Sequence, residues 1–318
     1  MSRSTLVRGG VVVAAWVLLV TFPQWSQAWE SSRFAAGIVR QILIFAIFAS
    51  ALNLLVGYAG LPSLGHAAFF GGGAYAASIA AERLGTDLLP VSLLAGIAGA
   101  VLLAAVVGFL AVRAVGIFFL MLTLALAQMV FALAYQATDL TGGSNGLSGV
   151  HRPTLLGLDF NAAADLYVLE CVIFLLVVLL LWRVTTSSYG RALIGLRDNE
   201  RRMRALGYDT RTLKLSAFIL AGAIAGVAGA LSSYEFRFVS PNDVALGTSV
   251  TAFVMVLIGG AGTLLGPVLG AAVVLLIERA LPSQVPAQLV LGVLFILFVV
   301  FARQGIVGAA RSLLRVRG

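Results

Sequence analysis

Long apolar runs are the feature that most constrains the fold of this chain. Segments of about 20 residues with few charges recur along its length, and a helix of that size crosses the hydrocarbon core of a bilayer. With 60% hydrophobic and only 11% charged residues, the chain carries more apolar surface than one soluble core can bury. We place the segments near residues 10–25, 38–56, 64–81, 88–111, 115–135, 165–182, 213–234, 246–258, 264–280 and 286–302.

These runs predict an all-α polytopic integral membrane protein of about ten (eight to ten) transmembrane segments, some of them broken or half-spanning. We expect residues 1–318 to form a single transmembrane domain. The first run also fits a signal peptide, because Arg3 and Arg8 precede it and Ser26-Gln27-Ala28 resembles a cleavage site. Whether that segment is retained stays open at this point.

The positions of the basic residues predict an orientation. With ten crossings and an inner N-terminus, most of the 21 basic residues fall on one side, and an excess of Lys and Arg is typical of cytoplasmic loops. The net charge of +8 therefore indicates orientation and not nucleic-acid binding. We expect both termini and the loop 183–212 to be cytoplasmic, and the loop 136–164 to be external.

The loop 183–212 contains the stretch RALIGLRDNERRMRALGYD at 191–209, which is unusually rich in charge for this chain. On a helical wheel its apolar residues share one arc and its arginines the other side, so one or two short amphipathic helices are predicted. Asp198 or Asn199 is expected to cap the second helix, and Gly207 to follow its end. The apolar arc consists of Leu193, Leu196, Met203 and Leu206.

Three interpretations of this loop remain open from its residues alone. The arginines can simply set the orientation and attract anionic headgroups, which does not explain the apolar arc. A helix lying on the lipid surface would explain both, although Trp and Phe anchors are absent from 191–209. A helix that docks into a groove of a soluble partner also explains both.

Four motifs resemble those of permease subunits of bacterial ABC importers for branched-chain amino acids, of the LivM type. They are LNLLVGYAGLPSLGHAAFFGGGAYAA at 52–77, TGGSNGLSG at 141–149, SSYGRALIGLRDNERRMRALGYDTRTLKLSAFILAGAIAGVAGAL at 187–231 and GGAGTLLGPVLGAA at 259–272. This chain departs from the family pattern at Leu61 and Pro62. It also departs at Arg202 and Met203, where the family tends to have small alanines.

The resemblance implies a membrane subunit of an importer in the bacterial inner membrane, without a cofactor of its own. Its implied partners are a second homologous permease subunit, two cytoplasmic ATPase subunits and an external or periplasmic substrate-binding protein. It also implies that the ATPase docks on the loop 183–212. The candidate docking residues are Glu200, Arg201, Met203, Leu206 and Gly207.

Residues alone already predict that the energy source lies on another chain. A phosphate-binding loop needs glycines followed by a lysine that reaches the phosphates. The only lysine of this chain, Lys214, follows Leu213 and no glycine-rich loop. We therefore expect this chain not to be an enzyme, and its two histidines and single cysteine do not predict a metal site.

The region 53–78 is the predicted transport path. A zwitterionic substrate needs hydrogen-bonding groups and irregular backbone there, and Pro62 should interrupt the helix. The stretches GYAGLPSLG (57–65) and GGAGTLLGP (259–267) look like counterparts in the same orientation. Candidate path residues are Asn53, Tyr58, Ser63, His66, Tyr75 and Gln128; candidate hinge or break residues are Gly57, Gly60, Pro62, Gly65, Gly259, Gly262 and Gly266.

Each of these residues also has a plain structural interpretation. The polar side chains can form interhelical hydrogen bonds, and the glycines can serve close helix packing. A substrate such as urea, a short amide or an aromatic acid is an alternative within the same family. A secondary transporter driven by an ion gradient is a further alternative. Such proteins tend to carry an ionisable residue deep in a membrane segment. The best candidate here, Glu170, is predicted near the outer end of its segment.

Overall fold

The computed structural model describes residues 32–84, 88–155, 158–281, 289–290, 292–293, 295–296 and 305–309. The predicted segment 10–25 lies outside the described residues, and so does most of the segment 286–302. In chain order the helices are α1 (Ser32–Asn53), α2 (Ala67–Leu84), α3 (Leu89–Ala111), α4 (Ile117–Gln136), α5 (Thr138–Thr141), α6 (Ala163–Thr186), α7 (Ser188–Asp198), α8 (Glu200–Ala205), α9 (Thr210–Phe236), α10 (Leu246–Gly259) and α11 (Gly266–Ala280).

The described helices coincide with eight of the predicted apolar runs, with ends shifted by a few residues. Five of them are long and apolar enough to cross a membrane: α3, α4, α6, α9 and the span Ala36–Ala59, which is α1 with a π-helical extension at Leu54–Ala59. The all-α polytopic membrane fold is thereby confirmed. The number of ten crossings and the side on which the termini lie stay predictions.

Helices α2, α3 and α9 form the centre of the described bundle, where small residues allow their backbones to approach closely. A side chain on Gly73 would lie 2.6 Å from the Cα atom of Gly226, and one on Gly229 would overlap the carbonyl oxygen of Phe70. Glycine is therefore required at these contacts for steric reasons. The predicted packing role of glycine is confirmed for this part of the chain.

The first helix is interrupted just before Pro62. The π-helical turn ends at Ala59, Gly60 takes the left-handed conformation with φ 68°, and irregular backbone continues to α2. A second break separates α10 from α11, where Gly260 and Gly262 have φ values of 113° and 77°. Helix α10 has 14 residues, so it is about 21 Å long and shorter than the hydrocarbon core.

The two ends of the bundle differ in character. At the hairpin end, α7 and α8 connect α6 to α9. At the loop end, the predicted external loop contains short strands that the sequence did not predict: β1 (Leu147–Ser148), β2 (Thr154–Leu155) and β3 (Leu158–Asp159). A fourth short strand, β4 (Phe238–Val239), follows α9. Strand β1 pairs antiparallel with β4, which ties this loop to the end of α9.

Candidate functional site

The stretch 188–209 forms a helical hairpin, α7 followed by α8, whose ends are defined by polar caps. The side chain of Ser187 accepts a hydrogen bond from the Gly190 amide at 3.3 Å, and Asn199 accepts one from the Arg202 amide at 3.0 Å. Of the two predicted caps of the second helix, Asn199 is therefore the one observed. These caps satisfy amides that lack partners within the first helical turn.

Gly207 ends α8 as predicted. Its φ is 89°, its amide donates to the Arg204 carbonyl at 3.0 Å, and the Tyr208 amide donates to the Met203 carbonyl at 3.1 Å. This pair of bonds is the Schellman arrangement, which needs the left-handed conformation that glycine adopts without strain. The chain consequently turns sharply between α8 and α9.

The predicted apolar arc is divided between the inside and the outside of the hairpin. Leu193, Leu196 and Met203 are buried, and a side chain on Gly195 would lie 2.7 Å from the Met203 sulfur. Leu206 is 65% exposed, because α8 has already ended and the turn at Gly207 directs this residue outward. The buried part of the arc holds the hairpin together, and the exposed part is free for another surface.

The side chain of Glu200 forms its contacts with α8 and α9, and not on the outer surface of the hairpin. Its carboxylate accepts hydrogen bonds from Lys214 Nζ at 2.7 Å, from Arg204 Nη2 at 2.6 Å and from Thr210 Oγ1 at 3.2 Å. Partial burial raises the pKa of Glu200, but the bonds from Lys214 and Arg204 outweigh it and hold the pKa below its usual value. The ion pair with the 5% exposed Lys214 thus attaches α8 to the base of α9.

Arg197, at the end of α7, reaches the first helix break. Its Nη1 donates to the Gly57 carbonyl at 2.6 Å, while its Nε and Nη2 both lie 3.2 Å from Asp198 Oδ1. A side chain on Gly60 would lie 2.6 Å from Arg197 Cγ, so glycine is needed there for the close approach as well as for its positive φ. No pattern in the sequence indicates this role of Arg197.

The two breaks lie against each other, which their similar sequences did not predict. The side chain of Asn53 donates to the Thr263 carbonyl at 2.9 Å and accepts from the Gly262 amide at 2.8 Å. A side chain on Gly57 would overlap the Gly262 amide nitrogen. Asn53 therefore makes an interhelical hydrogen-bond pair, which is the structural alternative considered for it above.

A cavity of about 580 Å³ opens beside the first break at the hairpin end. It is lined by residues 59–62 of the break, by the turn 114–116 between α3 and α4, and by the hairpin. Four basic side chains and two acidic ones contribute to its wall: Arg197, Arg201, Arg204, Lys214, Asp198 and Glu200. The hairpin therefore has open space next to the break that it contacts.

The other predicted path residues are dispersed. Ser63 is buried, and its hydroxyl accepts from the Gly65 amide at 3.3 Å. His66 is buried with its ring stacked on Phe48 at 5.5 Å. Tyr75 is buried, and its hydroxyl has no hydrogen-bond partner among the described residues.

Tyr58 is half-buried, while Gln128 is exposed on the outer face of α4. Of the predicted hinge residues, Gly259 and Gly266 contact each other across the second break, and a side chain on Gly65 would lie 2.5 Å from the Thr123 carbonyl oxygen. The structure thus brings Asn53 and Gly57 together with Gly262, places Gly60 against Arg197, and leaves Gln128 apart from them.

A buried charge cluster lies at the loop end. Arg40 and Glu235 form an ion pair of 3.2 Å with side chains 12% and 7% exposed. Glu170 is fully buried, and neither of its oxygens has a hydrogen-bond partner among the described residues. Glu170 is the eighth residue of α6, and the packing of α6 against α1 contributes to its burial.

Comparison with known proteins gives one consistent result. A family model described as "Branched-chain amino acid transport system / permease component" matches residues 34–302. The chain is 30% identical to the high-affinity branched-chain amino acid transport system permease protein LivM of Escherichia coli (strain K12), an alignment that covers 99% of this chain and 78% of that protein.

Two further relatives extend the comparison. The LivM protein of Salmonella typhimurium is 29% identical over 96% of this chain and 75% of its own length. The autoinducer 2 import system permease protein LsrC of Salmonella paratyphi B is 28% identical over 47% of this chain and 42% of its own length. No solved structure matches the chain significantly.

Proposed function

This chain belongs to the family of permease components of branched-chain amino acid transport systems, and we propose that it carries branched-chain amino acids across the bacterial inner membrane. It is the membrane-embedded permease subunit of an ABC importer. In our proposal a second homologous permease subunit, two cytoplasmic ATPase subunits and an external substrate-binding protein complete the assembly. Ten crossings with both termini in the cytoplasm agree with the distribution of its basic residues.

The α7–α8 hairpin is the observation that carries this proposal. It is a compact, capped element outside the long apolar helices, and it touches the break in α1 directly through Arg197. An element that is exposed on one side and bonded to the transport helices on the other is suited to receive movement from a soluble motor. We propose that the ATPase docks here.

The exposed side of the hairpin defines the proposed docking surface. It combines the apolar side chains of Leu206 and Tyr208, which are 65% and 49% exposed, with the exposed Arg201 and Arg202. Apolar anchors within a charged rim are typical of helices that dock on a partner. Among the candidate docking residues, Glu200 and Met203 act in this proposal by holding the hairpin and not by contacting the ATPase.

The outer face of α4 is the proposed contact with the second permease subunit. Phe118, Met121, Met129 and Leu133 are exposed along it, and Gln128 lies on the same face. A polar side chain facing lipid is unfavourable, so an exposed Gln on a membrane helix favours a protein neighbour or an aqueous path. Both fit a transport path that runs between two permease subunits.

Docking can be tested by purifying the importer through a tag on this chain. Leu206→Asp should greatly reduce the ATPase that co-purifies, because it places a charge in the proposed apolar contact. Leu140→Asp is the matched control, since Leu140 is 44% exposed at the opposite, loop end of the bundle. If Leu206→Asp retains as much ATPase as the wild type, the hairpin surface is not the docking site.

The substrate can be tested in the same preparation. Proteoliposomes with the complete importer should accumulate labelled leucine when ATP is present, and unlabelled isoleucine and valine should compete. If urea, a short amide or an aromatic acid competes while the branched-chain amino acids do not, the substrate belongs to the alternative class.

A further inference from the structure

Arg197 lies where the hairpin meets both helix breaks. Its Nη1 donates to the Gly57 carbonyl at 2.6 Å, and a side chain on Gly262 would lie 3.3 Å from the same nitrogen. Its Cα would be 3.0 Å from a side chain on Gly60. The guanidinium therefore occupies the junction of α7, the first break and the second break.

The bond to Gly57 answers a specific need of the first break. Carbonyl groups in the last turn of a helix lack intrahelical donors, and they carry the negative end of the helix dipole. A guanidinium supplies both a donor and a positive charge, and the resulting hydrogen bond is charge-assisted. Asp198 orients the group by accepting from Nε and Nη2, both at 3.2 Å.

The two breaks are joined to each other as well as to Arg197. Asn53 binds the second break through two hydrogen bonds, to the Thr263 carbonyl and from the Gly262 amide. The backbones of Gly57 and Gly262 approach each other so closely that Gly57 has no room for a side chain, so the two breaks are packed directly together. On the other side, the ion pair of Glu200 with Lys214 attaches the hairpin to α9.

Open space allows the hairpin to move. Arg197 lines the cavity of about 580 Å³ that separates part of the hairpin from the turn 114–116. A displacement of α7 into or out of this space would carry the Gly57 carbonyl with it as long as the bond holds.

We propose that Arg197 is the positioning residue that couples the hairpin to both breaks, so that α7 and the two breaks move as one unit when the hairpin is displaced. This inference rests on the proposed function, because it takes the ATPase to be what displaces the hairpin. Arg197 itself does not contact the ATPase in this arrangement. Its role is to transmit movement and not to dock.

The first test compares coupling with docking in the complete importer. Arg197→Ala should retain bound ATPase and basal ATP hydrolysis. Substrate uptake should fall about tenfold or more, and so should the stimulation of hydrolysis by the loaded binding protein, because a charge-assisted hydrogen bond is lost. Arg197→Lys should restore part of the uptake, because an ammonium can still donate to Gly57. Arg191→Ala is the control, since Arg191 is exposed on the same helix and, within the described part of the chain, its side chain donates to the nearby Thr186 carbonyl.

Two outcomes of this test would overturn the inference. Normal uptake by Arg197→Ala would mean that the bond transmits nothing, and loss of bound ATPase would mean that Arg197 is a docking residue. Docking of the ATPase on the hairpin is tested separately by the ATPase that co-purifies with Leu206→Asp, because this variant leaves Arg197 intact. A general folding defect is recognised by loss of basal hydrolysis together with a lower unfolding midpoint.

A distance measurement tests the movement itself. Spin labels at position 191 of α7 and at position 261 of the second break, both exposed, can be introduced after Cys171→Ala. In the complete importer their distance should stay constant between the nucleotide-free and ATP-bound states, and in Arg197→Ala it should change with nucleotide. A nucleotide-dependent distance in the otherwise wild-type chain would contradict a rigid unit.

Discussion

Replacing Asn53 by Ala should destabilise the junction of the two breaks. The amide side chain is 3% exposed and makes two hydrogen bonds, of 2.9 Å and 2.8 Å, to backbone groups some 210 residues away in the sequence. Its removal leaves the Gly262 amide and the Thr263 carbonyl without these partners. Because both groups are only partly buried, the loss of each hydrogen bond should lower the free energy of unfolding by about 1–1.5 kcal/mol, which is about 2–3 kcal/mol in total.

The single cysteine provides the assay for this prediction. Cys171 is fully buried, so a thiol-reactive fluorescent dye should label the chain only as it unfolds. In a thermal scan of the purified protein, Asn53→Ala should lower the midpoint by about 4 °C or more. Transport by the reassembled importer should fall as well, because the second break would no longer follow the first.

Ser78→Ala is the matched control for Asn53→Ala. Ser78 is equally buried, but its hydroxyl donates to the Ala74 carbonyl within its own helix at 2.8 Å. That carbonyl keeps its helical hydrogen bond, so the loss should be about 0.5 kcal/mol or less. If Asn53→Ala unfolds at the same temperature as Ser78→Ala, the Asn53 bridge contributes no stability and the reasoning about a joined pair of breaks fails.

Three further predictions use the same thermal assay. Glu200→Gln should lower the unfolding midpoint at pH 7, because it leaves the buried Lys214 without its counter-ion. The folded-state pKa of Glu200 lies below its usual value, so the wild type loses this advantage as the pH falls through that pKa. The unfolding midpoints of the two proteins should therefore converge at that pH. Gly229→Val should prevent normal packing of α9 on α2, with little folded protein recovered, whereas Gly229→Ala should be damaging to a smaller degree. Arg40→Ala should lower the free energy of unfolding by about 3–5 kcal/mol, since it leaves Glu235 as a buried charge without its partner. An unfolding midpoint equal to that of the wild type would mean that this ion pair does not stabilise the fold.

The spans and the breaks were predictable because their causes are local. Apolar runs long enough to cross a bilayer specify helices, Pro62 removes an amide that a helix needs, and Gly207 supplies the conformation that ends α8. In each case the residues that cause the structure are neighbours in the sequence. The approximate positions of the long helices α1 to α4, α6 and α9 to α11 follow from such signals, whereas the short α5 does not.

The contacts that join the site were not predictable for the same reason. Arg197 and Gly57 are 140 positions apart, and no pattern in either stretch indicates their hydrogen bond. The apolar arc was interpreted as a face for lipid or for a partner, but its Leu193, Leu196 and Met203 are buried within the chain, and only Leu206 is exposed because α8 ends one residue before it. Tertiary packing and the end of α8, and not periodicity alone, therefore decide which residues of the arc are buried.

Uptake of labelled leucine into proteoliposomes tests the central claim most directly, namely that this chain is a permease subunit powered by another polypeptide. The complete importer should accumulate leucine only when ATP and the loaded binding protein are present. The chain alone, under a proton or sodium gradient and without ATP, should accumulate none. Clear gradient-driven accumulation by the chain alone would contradict the account.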